Sequence, residues 1–316
     1  MKALDFRDSN SRYGRLVVLL LTLGITTARS LGGPATVAFE ATSAYHHIRV
    51  IDQDGLRTLS FDGSMESRMS LREPLKGHFE YTEYFHMAWL WNTQLTNVLM
   101  IGLGGGSTQR AYQHYYPQVM VESVEIDPKV VQVARDYFQL NESPTQQVVH
   151  IADGRVFLRR SQKTYGAIIL DAYVEHRYGS PIPYHLATRE FFELARAHLN
   201  TNGVLAYNVI GSLRGGGTDL LGAIYQTLKA VFPEVYLFPA GQTQNVVLIA
   251  TRSVDKTDFN LLQQRASALL RAKRITVPGF WNRLSSFRAA APPNADRCPV
   301  LTDDYAPVDG LLHTGY

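Results

Sequence analysis

The chain of 316 residues has a single cysteine, Cys298. That excludes an intramolecular disulfide and a thiolate metal cluster. None of the ten histidines falls into a zincin spacing such as H-E-x-x-H, so nothing in the sequence argues for a metal. Charge is sparse as well: charged residues make up 19% of the chain and the formal net charge is +3. Part of that excess lies near the N-terminus, where Lys2, Arg7, Arg12 and Arg15 outnumber Asp5 and Asp8. The remainder has no dense basic face, which argues against a nucleic-acid partner. Hydrophobic residues, at 45%, are those of a folded globular protein and not of a disordered one.

Long apolar runs are missing with one exception, residues 16–28 (LVVLLLTLGITTA), preceded by Arg12 and Arg15 and followed by Arg29. As a helix this run spans roughly 20 Å, short of the ~30 Å hydrocarbon core. It suits a signal peptide, with Ala28 or Ala38 before the cleavage point, or a membrane anchor. The chain is then exported or membrane-associated. A buried N-terminal helix in a cytoplasmic protein is the other reading.

What the chain does have is a regular rhythm. Residues 45–51 and 56–61 alternate around Asp54-Gly55 and predict a β-hairpin in a small antiparallel subdomain over 36–76. Residues 78–92 (HFEYTEYFHMAWLWN) carry aromatics at helical spacing and predict a buried helix. From residue 97 the chain alternates strand, turn and helix: strands near 97–102, 119–126, 147–152, 165–171, 203–209, 234–238 and 245–250. That pattern predicts an α/β domain over 77–288, a largely parallel sheet with helices on both faces. Gly215–Gly217 predicts a flexible loop. Ala289–Pro293 leads into a tail, 289–316, expected to pack near the site.

The strongest motif is VLMIGLGGGS, Val98–Ser107. Glycines allow a tight turn and close approach of a ligand, and the next helix aims its N-terminal amides at that ligand. From Gly102 the order is G-x-G-G-G-S, with Ser107 in the sixth place, so it is not the dinucleotide fingerprint. The next strand ends in Glu125, some twenty residues on, placed to accept both hydroxyls of a ribose. Ile126 follows it beside the expected nucleoside. Asp153-Gly154 follows the third strand, where an adenine edge is read. Asp171 ends the fourth at the carboxyl edge of the sheet, where α/β proteins bind ligands; there it can hold or deprotonate an amine. Each acid also has a plain structural reading: Glu125 a solvated strand end, Asp153 a helix N-cap, Asp171 a cap or ion pair. Tyr184 and His185 follow as candidate lining of an acceptor pocket. Asp303-Asp304 is a solvated turn or an electrostatic lure for a cationic ligand. Trp89, Trp91 and Phe85 belong to the core.

In this order the motifs resemble the spermidine/spermine synthase family, in a divergent branch, over about residues 45–250 and again at 301–309 (LTDDYAPVD). FDGSMES (61–67) is similar to the family's L-D-G-x-x-Q segment, with Glu66 where glutamine is usual, and Tyr81-Thr82-Glu83 to its Y-x-E segment. The resemblance implies a Rossmann-like sheet of the methyltransferase type behind an N-terminal β-subdomain. It implies that Glu125 binds the donor ribose, Asp153 the adenine amino group, and the turn of Gly102, Gly104, Gly105, Gly106 and Ser107 the nucleoside. Asp171 and Tyr81 would hold and activate the amine, with Glu66, Glu83, Tyr173, Glu175 and Asp304 around the ligands. The donor would be decarboxylated S-adenosylmethionine, the acceptor a small polyamine such as putrescine, with no prosthetic group, and the chain a homo-oligomer.

Two departures stand out. Where the family has G-G-G-D-G-G, this chain has Gly104-Gly105-Gly106-Ser107-Thr108-Gln109, without the acid that binds the donor's propylamine. The family's D-S-x-D-P-x-G-P-A segment is replaced by DAYVEHRYGSPIP (171–183), with Glu175 one place out of register. An S-adenosylmethionine-dependent methyltransferase is therefore the alternative enzyme. A non-catalytic nucleoside- or polyamine-binding protein is the alternative outside enzymes.

Overall fold

A computed structural model describes residues 33–173, 182–211, 213 and 220–312. The apolar run 16–28, Glu175 and Gly215–Gly217 lie outside them. Among the described residues no helix is long and apolar enough to cross a membrane.

The chain opens with β1 (Thr36–Thr42), β2 (His47–Gln53), β3 (Leu56–Phe61) and β4 (Ser64–Ser70), an antiparallel sheet in that order. The expected hairpin is β2–β3. Asp54 and Gly55 both take positive φ, 52° and 75°, as a tight two-residue turn requires. Asp62-Gly63 repeats the device between β3 and β4. One face of this sheet, with Ile48, Val50, Leu59 and Met69, packs on Val130, Val133 and Phe138 of the larger domain. The expected helix over 78–92 is a buried helix at Glu80–Leu90, wound as a 3-10 helix.

The larger sheet has the order β10-β11-β9-β8-β5-β6-β7. Its parallel part is β5 (Asn97–Ile101), β6 (Met120–Glu125), β7 (Gln147–Ile151), β8 (Tyr165–Leu170) and β9 (Leu199–Ile210). β10 (Glu234–Pro239) and β11 (Asn245–Thr251) join antiparallel. Every residue of β8 is buried, as a strand covered on both faces must be. One face packs on α3 (Gly154–Arg160), α4 (Arg189–Ala197) and α5 (Leu220–Lys229). The other packs on Glu80–Leu90, α1 (Ser107–Tyr115), α6 (Phe259–Arg271) and α7 (Phe280–Leu284). The sequence pattern had not suggested α6. α2 (Pro128–Tyr137) lies under the small sheet, capped by Asp127 with Pro128 in its first turn.

The direction of strand addition reverses between β5 and β8. At such a switch point the loops leave in opposite directions and open a crevice at the carboxyl edge. Gly102, just after β5, shows how tight the junction is: φ is 98°, and a Cβ there would lie 2.1 Å from the Asp171 carbonyl oxygen. Residues 301–303 fold back beyond α7. The Arg189 amide donates to the Leu301 carbonyl, the Leu301 amide to Thr227 Oγ1, and Arg155 holds Asp303 through both carboxylate oxygens at 2.6–2.7 Å.

Candidate active site

The crevice encloses about 790 Å³ of empty space, its open mouth included. Its walls come from the ends of β5, β6, β7 and β8, the segment 183–186, and the small subdomain, which contributes Phe61, Glu66 and Ser67 from its strands and His46 from the turn before β2. An inner recess runs behind it, lined by Glu66, Tyr81, Ser107, Gln109 and Asp171 among others.

Asp171 sits where crevice and recess meet. Asn208 Nδ2 donates to its Oδ1 at 2.9 Å, and the Tyr81 hydroxyl faces Oδ2 at 3.3 Å. Burial raises the carboxyl pKa to about 6 against these two hydrogen bonds, which favour the ionised form. Burial, then the charges of Asp171 and Glu66, push the Tyr81 phenol well up, so it is a neutral donor. Tyr173 lines the crevice and donates its hydroxyl to the Asn208 carbonyl at 2.7 Å.

Glu125 ends β6 on the crevice wall, with Ile126 beside it. Its Oε2 accepts the Leu103 amide at 3.1 Å and its Oε1 the Asp127 amide at 2.9 Å. Burial raises its pKa to about 7 despite these bonds. Asp153 caps α3, accepting the Val156 amide at 2.8 Å, and also lines the crevice with Gly154. Its cap reading and its site position are therefore compatible. Its Oδ2 meets His185 Nε2 at 2.8 Å; this bond, ahead of burial, lowers the Asp153 pKa.

Other expected site residues lie elsewhere. Gly105 and Gly106 face away from the crevice: a Cβ on Gly105 would meet Phe138 and Ser67, and one on Gly106 would meet Leu140. Gly102, Leu103 and Gly104 are the part of the turn that lines it, while Ser107 lines the recess and not the crevice. Glu83 is turned away, bonded to His78 at 3.1 Å and to Arg283, which together hold its pKa at about 2 against burial. Asp304 is exposed in the tail and lines neither space. Its neighbour Asp303 is committed to Arg155 and Thr188. Tyr184 is 59% exposed and outside the lining, and His185 lines the crevice beside Asp153. Glu175 lies outside the described residues.

Two contributors were missed in the sequence. Asn208 had a signal, a lone amide near the carboxyl end of the apolar strand GVLAYNVI. Ser67 had none beyond its place next to Glu66; its hydroxyl accepts the Gly105 amide at 2.9 Å and fixes the turn from the small sheet. Glu66, Glu125, Asp153 and Asp171 give the crevice four carboxyl groups. Such a lining attracts cationic ligands.

Comparison with known proteins places the chain in a family. Residues 78–238 match the model of the spermine/spermidine synthase domain. A polyamine aminopropyltransferase of Vibrio vulnificus is 30% identical over 307 residues, covering 93% of this chain and 98% of the relative. Spermidine synthase in complex with the transition-state analogue AdoDATO shares the fold, with a TM-score of 0.60 at 19% identity over 83% of this chain and 86% of that one. Human methyltransferase-like protein 13, solved with SAH, is 26% identical with a TM-score of 0.51, over 62% of this chain and 90% of that one. The chain belongs to the spermine/spermidine synthase family and is a transferase of that kind.

Proposed function

We propose that this protein transfers the aminopropyl group of decarboxylated S-adenosylmethionine to a small polyamine such as putrescine. The carrying observation is Asp171, held by Asn208 and facing the Tyr81 hydroxyl, in an acidic crevice at the switch point of the sheet. In this reading Glu125 accepts the ribose hydroxyls, Asp153 the adenine amino group, and Ile126 and Gly154 flank the nucleoside.

The reaction is a displacement at the carbon next to a sulfonium. The amine nitrogen forms a bond to that carbon, the C–S bond breaks, and its electron pair stays on sulfur as methylthioadenosine leaves. An alkyl amine is protonated near neutrality, so a proton must first be lost. Asp171, with a pKa near the working range, accepts it and keeps the nitrogen in line with the breaking bond. Tyr81 and Glu66 orient the second charged end in the recess.

A second reading has a specific support. No carboxylate occurs between Gly102 and Gln109, so the turn does not repel the carboxylate of ordinary S-adenosylmethionine. In that case the protein is a methyltransferase. The discriminating experiment titrates both donors into the protein by calorimetry, then adds putrescine and seeks methylthioadenosine by mass spectrometry. Tighter binding of the decarboxylated donor, with product that vanishes in Asp171→Asn, supports aminopropyl transfer. Preference for the ordinary donor without methylthioadenosine overturns it in favour of methyl transfer.

A further inference from the structure

We infer that His185 is a positioning residue for adenine recognition, fixing Asp153 so that one lone pair of its carboxylate is presented to the base. The inference rests on the nucleoside reading of the crevice and adds to it a residue that the resemblance gave no role there.

The geometry carries it. Asp153 Oδ1 is used by the cap of α3, accepting the Val156 amide at 2.8 Å. Rotation about the remaining side-chain bond would break that cap or swing Oδ2 from the crevice. His185 Nε2 meets Oδ2 at 2.8 Å from the crevice wall and opposes that rotation. A carboxylate oxygen has two lone pairs, so Oδ2 keeps one for an exocyclic amino group. The bond also sets the tautomer: with the carboxylate as acceptor, Nε2 carries the hydrogen.

His185 is itself held. Its backbone carbonyl accepts Arg155 Nη1 at 3.1 Å. The same guanidinium grips both oxygens of Asp303, and the Thr188 hydroxyl donates to Asp303 Oδ1 at 2.8 Å. The tail therefore anchors the segment that carries the imidazole, and the imidazole anchors the carboxylate. A hydrogen bond serving stability alone would not need both partners on the crevice wall.

A fixed acceptor at this place favours a 6-amino purine and repels a 6-oxo purine, whose oxygen would face the carboxylate. The test is calorimetry with 5′-methylthioadenosine and 5′-methylthioinosine on the wild-type protein and on His185→Phe and His185→Gln. His185→Phe keeps a ring but no donor. His185→Gln keeps a donor of similar reach. The expected result is about tenfold weaker methylthioadenosine binding in His185→Phe, with methylthioinosine little changed, and recovery of most of the preference in His185→Gln. An unchanged preference in His185→Phe overturns the inference while leaving the nucleoside site standing. So does tighter binding, which would make His185 a plug. Failure of the wild-type protein to bind methylthioadenosine overturns the nucleoside reading itself.

Discussion

The Tyr81 hydroxyl and Asp171 Oδ2 lie 3.3 Å apart although 90 positions separate them in the chain. One belongs to the helix that links the two sheets, the other to the end of β8 at the switch point. The proposed base and the hydroxyl beside it are therefore brought together by the packing of Glu80–Leu90 on the parallel sheet. Substitutions at this pair should separate catalysis from folding.

Asp171→Asn should remove turnover and stabilise the fold. The amide can still accept from Asn208 and donate toward Tyr81. The wild-type carboxyl has a folded pKa raised to about 6 from 3.8. Below the lower value both folded and unfolded forms are protonated and nothing is lost. As pH rises from the lower value to the upper one the unfolded form ionises first and stability falls, by about 3 kcal/mol once the buried carboxyl is also charged. Thermal melts should show the variant more stable near pH 8, with the gain gone below about pH 4. Equal melting curves at both ends would contradict the buried charge.

The pH profile of kcat/KM should rise through about 6 as Asp171 ionises in the free protein. Asn208→Ala removes a bond that favours the ionised form, so its acid limb should move to higher pH. The Tyr173 bond goes to the backbone of Asn208 and is retained. A profile that keeps its midpoint in the variant would exclude Asp171 as the titrating base.

Nucleoside binding should weaken in acid. In the proposed ribose role only an ionised Glu125 would accept both hydroxyls, and burial places its free-state pKa at about 7. Methylthioadenosine affinity should fall about tenfold between pH 8 and pH 6. Glu125→Gln should lose about 2–4 kcal/mol of binding at pH 8, two charge-assisted bonds in size. Isothermal titration across that range checks both, and a flat profile would refute the ribose role.

Gly102→Ala should cost about 2 kcal/mol of stability or more. The added methyl would sit 2.1 Å from the Asp171 carbonyl oxygen in a backbone with positive φ. Gly310→Ala, with nothing within 4 Å, should be neutral within about 0.5 kcal/mol. Denaturant titration of the two variants gives the comparison.

Much of this was legible in the sequence for identifiable reasons. The parallel strands announce themselves because burial on both faces makes them continuous apolar runs, as in YGAIIL. Glu125, Asp153 and Asp171 stand out because each is an acid at or just after the carboxyl end of a strand. What stayed hidden depends on long-range packing. Nothing local tells that Gly105 and Gly106 face the protein interior, or that Glu83 is spent on His78 and Arg283. Asp303 and Asp304 look alike in sequence, and only the fold-back of the tail separates a held acid from an exposed one.

That fold-back also has a temporal side. A nascent chain emerges N-terminus first. Both sheets and every strand bearing a crevice residue are complete before Leu301 and Asp303 are made. The 183–188 segment then has the Arg155 bond to the His185 carbonyl, and waits for Asp303 and Leu301 to complete its anchorage. Binding of the nucleoside should mature last during biosynthesis, later than the packing of the sheet that carries it.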